Sequence, residues 1–168
     1  FIISLDFELL WGLAGHDKKY LEAYSENVRN APEALIKIIS TCAKYGIKLT
    51  IAHVGAMNFN QYSDIQYVTP PNNQLLPAYT KPELYSVNLS NIAPELASDV
   101  KLFCCKDLLT ELTSKLNVEL ASHTFSHYYC LEDGQTPEQF DADIKMVRDH
   151  AVADYTTIIF PRNQVSEK

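Results

Sequence analysis

Short apolar runs alternate along the chain with stretches in which apolar residues recur every three or four positions, and this predicts strands and helices in turn. Phe1-Ile2-Ile3-Ser4-Leu5 is an apolar run of strand length that stops at the acidic residues Asp6 and Glu8. From Val28 to Tyr45, residues Leu35, Ile36, Ile38, Ile39, Cys42 and Ala43 draw one helical face. Pro32 suits the first turn of that helix, and Gly46 suits the residue after its C-cap. Ile47–Ala52 reads as a second strand running into His53, and Cys104–Leu116 as a helix with Leu108, Leu109, Leu112 and Leu116 on one side. Val118–Ala121 reads as a third strand. Thr136-Pro137-Glu138-Gln139 is a capping box with proline at the first helical position, opening a helix to about Val152. Thr156–Phe160 reads as a fourth strand, followed by Pro161-Arg162-Asn163-Gln164.

The segment from Tyr62 to Pro94 breaks the pattern. It holds Pro70, Pro71, Pro77, Pro82 and Pro94, which exclude long helices and central strands. A loop this long in a compact domain is usually functional, such as a lid or a substrate wall, or else mobile. The remaining order, βαβ(α)βαβ, predicts an α/β fold in which four parallel strands lie side by side in sequence order, with helices outside. No repeat, low-complexity tract or linker interrupts it, so residues 1–168 read as one domain. In such folds the active site lies at the carboxyl ends of the strands. The Pro-rich segment, which follows strand two, is expected over that end.

Composition narrows the class. Of 168 residues, 46% are apolar and 21% charged, which is ordinary for a globular domain and excludes a disordered or collagen-like chain. No run of about 18 apolar residues is present, so no transmembrane span is expected. Lys and Arg number 14 against 21 Asp and Glu, a net charge of −7. That sign argues against a nucleic-acid partner and is compatible with a neutral substrate held around a cation. Cys42, Cys104, Cys105 and Cys130 show no CxxC spacing and read as reduced thiols, the expectation for a cytoplasmic protein. The chain opens on Phe1 inside an apolar run, without Met or a basic leader.

Three groups of candidate chemistry follow the predicted strands. Asp6 and Glu8 point the same way if the extended backbone continues past Leu5, so that one can ligate a metal while the other accepts a proton. His123 and His127, in His123-Thr124-Phe125-Ser126-His127, share a face if that segment is helical, and can together grip a transition metal. Thr124 stands where a HExxH zinc protease has Glu. Arg162, after strand four, offers a planar fork able to hold a carboxylate ionised and oriented. Each signal alone is weak, and a solvated acidic loop or two unrelated histidines would account for them singly. Their shared position after strands makes them stronger together. Trp11, Tyr128 and His53 sit beside these groups as candidates to line a substrate cleft.

Ser4-Leu5-Asp6-Phe7-Glu8, the run from Ser122 to Glu132 (SHTFSHYYCLE) and Phe160-Pro161-Arg162-Asn163-Gln164 resemble the first three motifs of the polysaccharide deacetylases, carbohydrate esterase family 4 or the NodB-homology domain. The resemblance spans Phe1 to Gln164 and is closest to a branch associated in part with surface-polysaccharide or O-antigen biosynthesis. It implies an irregular (β/α)7 barrel with one divalent metal ion at its carboxyl mouth, Zn²⁺ or one of Co, Mn, Ni and Fe. By the same resemblance His123, His127 and Glu8 would be the ligands, Asp6 the base, Arg162 the residue orienting Asp6, and Asn163 a neighbour of the oxyanion. Asp6 and Glu8 are separated by Phe7, where the commoner motif has adjacent Asp residues, so a swap with Asp6 on the metal stays open.

The family's last motifs, including its general-acid histidine, have no counterpart in the chain. Four strands cannot close a barrel that typically needs about 250 residues, so a wall incomplete at its C-terminal side is expected. The activity implied is removal of an N-acetyl or similar acyl group from a sugar, a hydrolysis of a carbon–nitrogen bond other than a peptide bond. The alternatives are a cyclic-amide or ureide hydrolase of the same fold and an inactive carbohydrate-binding relative.

Overall fold

The structure is a computed structural model that describes residues 2–13, 15–68, 75–81, 84, 96 and 98–165. Its sheet has three parallel strands, β1 (Ser4–Phe7), β2 (Leu49–His53) and β3 (Val118–Ser122), in the order β1-β2-β3. Asp6 pairs with Ala52 and Ala52 with Ala121, so the three carboxyl ends lie side by side. Four α-helices are formed among the described residues: α1 (Lys18–Lys44), α2 (Tyr62–Val68), α3 (Lys106–Leu112) and α4 (Pro137–Asp149). The fold is therefore α/β with parallel strands in sequence order, and the described residues do not show a full (β/α)7 barrel.

The fourth predicted strand, Thr156–Phe160, is reduced to one parallel bridge between Ser122 and Ile158. Ser122 N–H donates to Thr157 O and Ile159 N–H to Ser122 O, both at 2.9 Å. Pairing then stops, because Pro161 has no N–H and opens a 3₁₀ turn over Pro161–Asn163. At the other edge the strand starts later than expected, at Ser4, and runs through Asp6 to Phe7.

Helix α1 begins at Lys18, well before Val28, and Pro32 lies inside it rather than in its first turn. Asp17 caps it by accepting the Tyr20 N–H at 2.9 Å. The apolar stripe that defines its inner face is Leu21, Val28, Leu35 and Ile39. Ser25 interrupts this stripe in the sequence, yet its hydroxyl donates to Glu22 O and stays buried. An interior proline costs roughly 3 kcal/mol. Burying four such side chains at about 1.5–3 kcal/mol each outweighs that. Helix α3 is shorter than predicted. Thr113 and Ser114 hydroxyls donate to the carbonyls of Thr110 and Glu111, which ends the helix and leaves Leu116 98% exposed.

The helices cover one face of the sheet, where Leu49, Ile51 and Leu120 meet Leu35, Ile39, Leu109, Leu112, Met146 and Val147 in one core. The other face is polar. Ser4, Asp6 and Glu119 are exposed, and Glu119 accepts the hydroxyls of Thr50 at 2.9 Å and Thr157 at 2.5 Å. Among the described residues no helix is long and apolar enough to cross a membrane. All four cysteines are free, and burial pushes the Cys104 and Cys130 thiols up to about 12 and 11, far from nucleophilic use at neutral pH.

Of the Pro-rich segment, Pro70, Pro71, Pro82, Tyr85 and Pro94 lie outside the described residues. Residues 75–81 run along the loop that follows β3. Ala78 N–H donates to Gly134 O at 2.8 Å and Thr80 N–H to Asp133 O at 2.9 Å.

The capping box of α4 forms as predicted: Thr136 Oγ1 accepts the Gln139 N–H and Gln139 Oε1 accepts the Thr136 N–H. Thr136→Ala is expected to cost about 1 kcal/mol, and so to lower the midpoint of thermal unfolding by roughly 2–4 °C. Thr136→Ser should retain most of the stability. Circular dichroism melts that leave the alanine variant level with wild type would refute the cap's contribution.

Candidate metal centre

Two strand ends build the site. β1 delivers Glu8, whose backbone is turned at once by a 3₁₀ segment, Leu9–Leu13, entered through Leu9 at φ 51°. Gly12 in that turn leaves room for the carboxylate, because an added Cβ would lie 1.7 Å from Glu8 Oε2. The carboxylate thus folds back over the glycine instead of extending into solvent, and its side chain is 26% exposed.

β3 delivers the histidines. The segment between them is not helical, so the expected helical face is not what unites them. Thr124 and His127 both take left-handed backbone conformations, φ 63° and 58°. For a β-branched residue such as Thr124 this is a strained conformation. The turn is held by a dense set of bonds. Thr124 N–H donates to Ser122 Oγ, Tyr128 N–H to Thr124 Oγ1, Gly55 N–H to Thr124 O and Ala56 N–H to Phe125 O. Asp143, from α4, accepts Phe125 N–H at 2.7 Å, Ser126 N–H at 3.0 Å and the Ser126 hydroxyl at 2.5 Å.

The outcome is a convergence. Glu8 Oε1 lies 2.9 Å from His123 Nε2 and 3.0 Å from His127 Nε2, with the imidazole side chains 0% and 2% exposed. Among the described residues this is the one His/Cys/Asp/Glu group whose ligand atoms all lie within 4.8 Å of one another. Burial pushes the Glu8 carboxyl upward, but hydrogen bonds and charge from the two imidazoles outweigh it and hold the group at about 2. Burial lowers His127, opposed by Glu8 and reinforced by the charges of His123 and Arg162. The site therefore favours an ionised carboxylate beside a neutral imidazole at His127, the protonation states in which both act as ligands.

A divalent ion fits this donor set. With the proton on Nδ1, each imidazole aims its Nε2 lone pair at the point shared with Glu8. Ligand atoms around a tetrahedral zinc are roughly 3.3 Å apart, only slightly more than the distances here. His127 Nδ1 lies 2.9 Å from the Tyr129 hydroxyl, which can take its proton in a hydrogen bond. His123 Nδ1 is buried without a hydrogen-bond partner. Two imidazoles with one carboxylate form a donor set that several divalent transition metals take, Zn²⁺ and Fe²⁺ among them.

The other candidates fall elsewhere. Asp6 lies on the open, polar face of the sheet, two residues before Glu8, and it is Glu8 that joins the histidines. Arg162 makes no ion pair with Asp6. Its guanidinium lies 4.7 Å over the Tyr129 ring, so the third motif reaches the centre through Tyr129. Asn163 is exposed at φ 55°, and its N–H already donates to Phe160 O, which takes it away from any oxyanion.

The proposed cleft residues are packing residues. Trp11 is 1% exposed, donates to Phe103 O at 2.9 Å and packs edge-on against Phe103. Tyr128, also 1% exposed, donates to Gln135 and Thr136 O. His53 is buried against Tyr155, and burial lowers it to about 4, so it stays neutral. With no ring surface in solvent, none of the three can take a sugar face.

Sequence reasoning missed Asp143, and it read Tyr129 and Tyr79 as aromatics suited to a sugar site rather than as residues that position His127. Tyr79, from the Pro-rich segment, accepts the Tyr129 N–H with its hydroxyl at 2.9 Å. Asp143 had a readable signal, since helical spacing places this acid on the same face as Gln139, Met146 and Val147. Comparison of the chain with protein-family models, with curated proteins and with solved structures finds no match.

Gly12→Ala is expected to displace the Glu8 carboxylate while leaving the fold in place. In ¹H–¹⁵N spectra of the imidazole rings of metal-free protein, the Nε2 signals of His123 and His127 should shift. Unmoved signals would show that Gly12 does not set the carboxylate.

Proposed function

We propose that this protein is a metal-dependent hydrolase that removes an N-acetyl or similar acyl group from a sugar of a surface polysaccharide or its precursor. The observation that carries the reading is the meeting of Glu8 Oε1 with the Nε2 atoms of His123 and His127 at the carboxyl ends of parallel strands. The motif resemblance names His123, His127 and one of Glu8 and Asp6, independently of their positions in space. Together they favour this reading over a structural cluster, because an ionised carboxylate and two buried imidazoles also satisfy the chemical demands of a catalytic ion.

Glu8, His123 and His127 would hold the ion. When bound, it polarises an amide carbonyl and makes a water acidic near neutral pH. Two histidines and one carboxylate leave further coordination positions open for water and substrate, as catalytic rather than structural zinc sites do. Asp6 is the candidate base. It lies on the exposed side of the same strand, where it can take a proton from an attacking water. Tyr129 orients His127 through Nδ1, and Arg162 covers the Tyr129 ring at the rim of the site. Residues 75–81, anchored to the 133–134 turn, form a wall beside this mouth.

Purified protein is expected to bind one equivalent of Zn²⁺ or Co²⁺, and His123→Ala and His127→Ala should lose it. Asp6→Asn should keep the ion and release acetate from N-acetylated sugar oligomers roughly 10²–10⁴-fold more slowly. Equal metal content in wild type and His123→Ala would sink the centre. Metal binding with an unchanged rate in Asp6→Asn would remove Asp6 as the base.

A further inference from the structure

Asp143 is a charged side chain with no place in the chemistry above. Its residue is 8% exposed, on the inner face of α4 beside Met146 and Val147. Burying a carboxylate among such neighbours is costly unless its lone pairs are taken. Here three donors take them, and all three belong to Phe125 and Ser126, two of the three residues between His123 and His127. Burial raises the group above the ordinary carboxylate range, with these bonds opposing the rise.

The bonds act on a turn that resists its own conformation. Thr124 and His127, at φ 63° and 58°, bracket the two residues whose N–H groups point at Asp143. Two consecutive N–H groups aimed at one carboxylate fix the orientation of both peptide planes, and the hydroxyl of Ser126 adds a third tether. Left-handed conformations at non-glycine residues cost of order 1–3 kcal/mol and persist only where the surroundings over-determine them. Gly55 and Ala56 hold the carbonyl side of this turn by bonding Thr124 O and Phe125 O. Asp143 holds its N–H side. Without that hold the turn can relax, and His127, the residue that closes it, swings its Nε2 away from Glu8.

We infer that Asp143 is a positioning residue of the metal centre, setting the angle between the His123 and His127 ligands by clamping the turn that joins them. It touches neither the ion nor the substrate. The inference rests on the reading of Glu8, His123 and His127 as metal ligands. Asparagine at this position keeps the shape and one acceptor, but presents N–H to N–H at one of the two backbone donors. The clamp then fails without a cavity being opened.

The test is Co²⁺ titration of the whole chain, reading both affinity and the visible absorption of the bound ion, which reports ligand geometry. Asp143→Asn should bind Co²⁺ about 10–100-fold more weakly, the usual effect of losing an outer partner of a metal site, and its absorption bands should move. Ser126→Ala, which removes the hydroxyl tether and keeps the backbone bonds, should shift both readouts in the same direction by less, and it decides the matter if Asp143→Asn does not fold. Ile39→Val, a core change on α1, should move neither. Wild-type affinity and spectrum in both Asp143→Asn and Ser126→Ala would overturn the clamp while leaving the metal centre standing. An equal loss in Ile39→Val would overturn it as well, by reducing the effect to general destabilisation. Failure of wild-type protein to bind Co²⁺ would remove the metal centre itself and the clamp with it.

Discussion

Parallel pairing is the constraint on which the site depends. Because β1, β2 and β3 run the same way, in a register that sets Phe7 beside His53 and His53 beside Ser122, their carboxyl ends come out at one edge of the sheet. Glu8 and His123 each follow the last residue of a strand, so they are delivered to that edge without any further device. An antiparallel neighbour would have sent one of them to the opposite end. Residues more than a hundred positions apart are thus brought to 2.9 Å by backbone hydrogen bonds several residues away from either.

A second requirement follows, since the strands place only one histidine. His127 must be carried back toward Glu8 by a turn that is unfavourable by itself, and the molecule meets this cost with hydrogen bonds from three directions. The β2 side holds the carbonyls of Thr124 and Phe125, Asp143 of α4 holds the N–H groups of Phe125 and Ser126, and the turn's own Thr124 hydroxyl holds Tyr128. Tyr129 then fixes His127 from behind, and is itself held by Tyr79 and covered by Arg162. Nearly every polar group near the centre is occupied in positioning another. Of the aromatic residues that look suited to a sugar surface, Tyr128 is consumed in that scaffold and Trp11 in the core against Phe103.

The division of the sheet's faces belongs to the same logic. Parallel strands are ordinarily apolar on both sides. Here the helix-facing side is apolar, whereas Ser4, Asp6, Thr50 and Glu119 make the other side polar, with Glu119 bonded to the threonines beside it. That polar face carries Asp6 and is continuous along β1 with the turn that folds Glu8 back. The acid proposed as base and the acid proposed as ligand are therefore separated by the turn that follows β1, not by their chemistry.

How much of this could be read beforehand depends on the range of the forces involved. Alternating apolar runs, the Thr136 capping box and the position of Glu8, His123 and His127 after strands are encoded by neighbours in the chain. The sequence by itself determined the α/β class, the parallel strand order and the two histidines as candidate ligands, but left Asp6 and Glu8 as alternatives for the third, which the turn after β1 decides in favour of Glu8. It misjudged the start of α1, where a buried serine interrupts the stripe, and the fourth strand, of which only a bridge forms. It also placed Trp11, Tyr128 and His53 in a cleft, assigned Arg162 to Asp6, and joined the histidines through a helix. Those matters were decided by tertiary structure alone, because burial, the partner of a guanidinium and the conformation of a strained turn depend on groups distant in the chain. Asp143 shows the limit most clearly: helical spacing marks it as an acid facing inward, but only the packing of α4 on the turn after β3 supplies the three donors that make its burial possible.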